Sequence, residues 1–118
     1  MTSHPLQRGN IVLVPFPFTD LSGQKVRPAV IISPNPIGQD ILLAFISSVI
    51  PISLEPTDYV LPVTHPAFSS TGLHARSVFR MSKLITLHRS IIQRRLGHVT
   101  PELQRTLDAL LIRAVGLA

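Results

Sequence analysis

Proline breaks limit what this chain can become. Eleven prolines are spread over 118 residues, and the runs between them are short and rich in apolar, often β-branched side chains. Proline lacks the backbone donor of a ladder and is tolerated only at the start or edge of a strand. Each run is therefore confined to strand length. The candidates are Ile11–Val14, Pro28–Ser33, Asp40–Ser48, Asp58–Val63, Ser77–Arg80, Lys83–Leu87 and Arg94–Val99. In Asp40–Ser48 (DILLAFISS) the apolar residues do not alternate with polar ones, which predicts a central strand covered on both faces. Turn-forming residues separate the runs at Pro34–Gly38 and Pro51–Thr57, while Thr64–Leu73 reads as loop and His88–Gln93 as a helical turn.

The end of the chain has a different period. Thr100 is suited to a helix N-cap, Pro101 to the first helical position and Glu102 to the positive end of the helix dipole. Leu103, Leu107, Leu110, Leu111 and Ala114 recur along one helical face, and Gly116 supplies a stop. Many short strands followed by one amphipathic helix predict a mainly β protein, a small barrel with a C-terminal helix packed on it, in a single domain spanning residues 1–118.

Composition narrows the chemistry. The absence of Cys excludes disulfides, thiolate metal sites and cysteine nucleophiles. The first residues, MTSHPLQRGN, lack the apolar core of a signal peptide, and the longest unbroken apolar run, Ile41–Ile46, is far shorter than a membrane span. The expectation is a cytoplasmic protein with no membrane role. Eleven Lys plus Arg against six Asp plus Glu give a net charge of +5, and Arg outnumbers Lys nine to two. That balance suits bidentate phosphate contact and points toward nucleic acid. An apolar fraction of 45% is high for so small a chain and implies that a partner covers part of the surface.

The stretch Ser22–Ser33 (SGQKVRPAVIIS) carries the clearest chemical signal. A polar loop, about Pro15–Val26, ends in Lys25 and Arg27, and Pro28 then opens a strand. The residue before a proline is pushed toward extended backbone, so Arg27 is a permanent cation at a fixed point beside a long loop. Such a group can hold a phosphate, or simply be solvated at a strand end. Ser47 and Ser48 sit at the polar end of the third run, where a hydroxyl can bond a phosphate or the local backbone. Arg80 lies on a later run. His65, His74 and His88 are of the residue type that titrates near neutrality, but no His pair has metal-ligand spacing. Phe16 and Phe18 flank the loop, either as stacking surfaces for bases or as core anchors.

Three segments together resemble the MazF/PemK family of toxin endoribonucleases: Arg8–Val14, Lys25–Ser33 and Ala44–Ser48. The tail, from Ser77-Val78 through Lys83–Leu87 to the terminal helix, is similar to the family's second half. The resemblance implies an SH3-like barrel, a homodimer, a cognate antitoxin as partner, and metal-independent, sequence-selective cleavage of single-stranded RNA or mRNA without a cofactor. Products would be a 2′,3′-cyclic phosphate and a 5′-OH. It further implies Arg27 and Ser47 as catalytic residues, Ser47 standing where relatives carry Thr. Lys25, Ser48, Arg80 and Lys83 would support RNA binding or catalysis. Where some relatives have an acidic proton acceptor this chain has Ser22 and Ser82, which leaves Asp20, His65 and His74 as candidates for proton transfer. Two other readings accompany this one: a gyrase-targeting toxin of the same fold, and a relative that binds RNA without cutting it.

Overall fold

The computed structural model describes residues 5–15, 25–35 and 37–118. Six strands form one antiparallel sheet: β1 (Asn10–Pro15), β2 (Val26–Ser33), β3 (Asp40–Ser47), β4 (Asp58–Leu61), β5 (Ser77–His88) and β6 (Arg94–His98), in the spatial order β4-β5-β3-β2-β1-β6. The sheet curls into a half-barrel and the C-terminal helix α2 (Pro101–Ala114) packs on it. The mainly β expectation with a terminal helix holds. Among the described residues no helix is long and apolar enough to cross a membrane.

β3 is central, as its unbroken apolar character requires. Its alternate residues enter different cores: Ala44 and Ile46 pack with Ile11, Val30, Phe79 and the α2 residues Leu103 and Leu107, whereas Ile41 and Leu43 pack with Val12, Val14, Ala29 and Ile31. Thr100 caps α2 by accepting from the Leu103 N–H (3.2 Å), and the helix ends before Gly116, whose φ is +77°. Both termination signals operate as the sequence implies.

Three differences from the sequence reading bear on the site. β2 begins at Val26, two residues earlier, so Arg27 lies in the strand and Pro28 is its third residue. Ser77–His88 is one twelve-residue strand, not two. Residues 81–83 interrupt only its ladder with β3, where Leu84 pairs with Ala44 and Arg80 with Phe45. The segment read as loop, Thr64–Leu73, contains a one-turn helix, α1 (Phe68–Thr71). That turn exists because of two close approaches. Gly72 ends it with φ of +73°, and a side chain there would strike the Leu96 carbonyl; a side chain at Gly97 would strike the Ser70 carbonyl. Backbone thus lies directly on backbone, fixing the stretch that leads to His74.

Gly97→Ala therefore should destabilise the chain by about 1–3 kcal/mol, the usual cost of overpacking. Urea denaturation should show a lower midpoint with an unchanged slope.

Candidate active site

The site forms where two neighbouring strands let go of each other. β2 and β3 pair at Ala29↔Phe45, Val30↔Ala44 and Ile31↔Leu43. The ladder stops at Pro28, which has no N–H to donate. Extending the same register two residues sets Arg27 opposite Ser47, with the paired strands parted. Opposed residues of antiparallel neighbours share a face. A row Ala29, Phe45, Arg80, Asp58 therefore crosses four strands on one face. By the two-residue period Arg27 and Ser47 stand on that face too. It is the face of the smaller core cluster, opposite the one that meets α2.

A groove of about 640 Å³ opens there, lined by Arg27, Phe45, Ser47, Val49, Arg80, Ser82 and Lys83 among others. A smaller cleft of about 240 Å³ also reaches Arg27 and Ser47, and continues to Ser48, Leu73, His74 and Leu96. Arg27 and Ser47 therefore form the ridge between the two spaces. The irregularity in β5 supplies the far wall: residues 81–83 leave the β3 ladder, and Ser82 and Lys83 face the groove. Bulges of this kind commonly re-aim side chains beside active sites.

Ser47 closes a tight turn. Its Oγ donates to the Val49 carbonyl (3.2 Å) and accepts from the Val49 N–H (3.0 Å). Of the two roles the sequence left open, the hydroxyl bonds the local backbone, and the residue also lines the groove.

Arg80 is clamped from the adjacent strand. Its Nε donates to Asp58 Oδ1 (3.2 Å) and its Nη2 to Asp58 Oδ2 (3.4 Å), and Glu55 Oε1 lies 3.8 Å from Nη2. The Asp58 side chain is fully buried, whereas 24% of Arg80's and 46% of Glu55's remains exposed. Ser82 Oγ donates to Glu55 Oε2 (3.0 Å). Sequence reasoning missed both carboxylates, reading Asp58 as a strand start and Glu55 as part of a break. No local spacing could reveal them, because their role depends on the β4–β5 register.

The structure brings together Arg27, Ser47, Arg80 and Lys83 in the groove, and Ser48 and His74 in the adjoining cleft. Lys25 is exposed just before β2 and lines neither space. His65 is also elsewhere: its Nδ1 accepts from the Ala67 N–H (2.9 Å), ordering the turn ahead of α1. Asp20, Ser22, Phe16 and Phe18 lie outside the described residues. Among those described, no group of three or more His, Asp or Glu could hold a metal ion.

A sequence profile of the PemK-like, MazF-like toxins of type II toxin-antitoxin systems matches residues 7–115. Comparison with curated proteins finds no match. Among solved structures, a mycobacterial endoribonuclease in complex with its cognate antitoxin is 18% identical, with 94% of this chain and 95% of that chain covered and a TM-score of 0.72. MazF from Deinococcus radiodurans, in a MazE-MazF structure, is 19% identical over 98% of this chain and 100% of that chain, TM-score 0.72. The Mycobacterium tuberculosis toxin MazF-mt6 is 16% identical over 90% of this chain and 95% of that chain, TM-score 0.69. At these identities the likeness is one of fold.

The unequal burial of the two carboxylates predicts unequal costs. Asp58→Ala should cost about 3 kcal/mol, the low end for breaking a buried pair because Arg80 keeps partial solvent contact. Glu55→Gln removes an exposed partner and should change stability by less than about 1 kcal/mol. Chemical denaturation of the two variants checks the ranking.

Proposed function

The chain belongs to the PemK-like, MazF-like toxins of type II toxin-antitoxin systems, and from that premise we propose that it is an endoribonuclease cutting single-stranded RNA by attack of the 2′-OH on the adjacent phosphate. The observation that carries this reading is the placement of Arg27 and Ser47 across the parted β2 and β3, on the ridge of a groove also walled by Arg80 and Lys83.

The chemistry follows from those groups. Attack by the internal 2′-oxygen puts extra negative charge on the phosphorane oxygens, and stabilising developing charge is usually the largest catalytic term. The Arg27 guanidinium, held on an extended strand, is the clamp for that charge, and its fork matches two phosphate oxygens. Ser47 Oγ supplies a hydrogen bond to the same group. The nucleophile belongs to the RNA, so no activated water is needed. The P–O5′ bond breaks, leaving a 2′,3′-cyclic phosphate on one fragment and a 5′-OH on the other. Lys83 and Arg80 line the path of the flanking backbone, and a net charge of +5 favours the polyanion over longer range.

Surface character points to the partners. Val49, which lines the groove, and Ile52 and Leu54 further along the β3–β4 connection expose apolar side chains. Exposed apolar clusters of this kind suit protein association. A second copy of the chain and a cognate antitoxin are the proposed occupants of such surface, and a cytoplasmic location fits a target of cellular mRNA.

Purified protein incubated with a long single-stranded RNA in EDTA should yield fragments with 5′-OH ends. Arg27→Ala should lower single-turnover cleavage by about 10²–10³-fold or more, the cost of removing one charge-stabilising donor. Arg27→Lys should lose most activity as well, since an ammonium lacks the fork, and Ser47→Ala should be reduced but measurable. RNA retention without cleavage would favour the binding-only reading, and inhibition of DNA supercoiling without RNA cutting the gyrase-directed one.

A further inference from the structure

We infer that Glu55 is the proton acceptor of this site, a catalytic carboxylate delivered from outside the strand that forms the groove wall. The inference rests on the endoribonuclease reading and adds the group that reading lacks. Arg27, Arg80 and Lys83 cannot take a proton while charged, and the serine hydroxyls are weak bases. Among the described residues, the carboxylates in contact with the groove-lining side chains Arg80 and Ser82 are Asp58 and Glu55.

Their surroundings separate them. Asp58 is fully buried and both its oxygens are engaged, Oδ1 by Arg80 Nε and Oδ2 by Arg80 Nη2 and by the Glu55 backbone N–H (2.9 Å). It is a brace. Glu55 keeps nearly half of its side chain exposed, yet its position is set from three sides. Its backbone N–H is held by Asp58, its carbonyl accepts from the Asp58 N–H (3.0 Å), and its Oε2 accepts from Ser82 Oγ. Arg80 Nη2 lies 3.8 Å from the other oxygen, Oε1. Accessible, pre-positioned and in contact with two side chains of the groove wall, Arg80 and Ser82, Glu55 has what a general base requires.

The step balances without any added reagent. The Glu55 carboxylate takes the 2′-OH proton as the O2′–P bond forms. As the P–O5′ bond breaks, the leaving oxygen gains a proton through water, and Glu55 releases its own to solvent. Ser82 becomes the donor that steers an acid arriving from the β3–β4 connection.

Glu55→Gln is the decisive substitution, because the amide can still accept from Ser82 and Arg80 remains anchored on Asp58. With a long single-stranded RNA, single-turnover cleavage should fall by about 10²–10⁴-fold, the usual range for a general base, while RNA retention and the thermal midpoint hold. Cleavage by E55Q at the wild-type rate overturns this assignment alone, and absence of cleavage by the wild-type chain overturns the endoribonuclease reading with it. A loss of cleavage in step with RNA retention would make Glu55 a structural brace and also overturn the assignment. Should E55Q lower the thermal midpoint, the double variant E55Q/S82D decides. Recovery of cleavage would show that a carboxylate is required at this spot, and no recovery would sink the idea.

Discussion

The missing N–H of Pro28 is the constraint on which the site depends. Within the sheet, β2 and β3 are held by hydrogen bonds and by two apolar cores, one on each face. Past Ala29 and Phe45 the ladder has no donor at Pro28 to continue it, and the strands are free to part. Beyond that point both strands turn polar: Arg27 and Lys25 stand on one side, Ser47 and Ser48 on the other. The same local chemistry that ends the ladder therefore delivers a cation and a hydroxyl to opposite sides of an opening. The rest of the sheet supplies rigidity to two side chains whose backbones are anchored a residue or two away.

The two strand arginines contribute in different ways. Arg80 is matched by Asp58 and Glu55, so much of its charge is balanced locally. Its value to the groove is positional: it fixes the β4 end and the β3–β4 connection against the displaced residues of β5. Burying a carboxylate as completely as Asp58 is costly unless its partners are in place. The pair therefore ties the integrity of this wall to the register of β4 on β5. Arg27 sits on a strand internal to the sheet, at the point shared by both clefts.

How much was legible in the sequence depends on whether a feature was local. The Thr100-Pro101-Glu102 start, the Leu103 and Leu107 face and the unbroken DILLAFISS strand are written in adjacent residues, and they behave as expected. Arg27, Ser47 and Arg80 as site neighbours required the family resemblance, because their meeting depends on strand order β5-β3-β2. The single long β5 was hidden by Met81–Lys83, which interrupts the apolar pattern where the chain bulges. Helix α1 was hidden because glycine contacts between distant segments, not propensity, hold it in place. The carboxylates were hidden for the same reason as the arginine pair: Glu55 and Ser82 are 27 residues apart and meet only through β4–β5 pairing.

Ser47 shows how a groove like this couples binding to its rim. Its hydroxyl proton points to the Val49 carbonyl and its lone pair receives the Val49 N–H. Donation to a phosphate oxygen requires the proton to leave the carbonyl, while the bond from the Val49 N–H can persist. An anionic acceptor makes the stronger bond, so the exchange is downhill wherever a phosphate reaches Arg27. The carbonyl it abandons lies at an exposed turn, where water can replace the lost donor at small cost. A threonine in this position would add a methyl to the same hydroxyl. Serine keeps the same donor and gives up only packing, so in the proposed reaction either residue would offer a phosphate at Arg27 the same hydrogen bond.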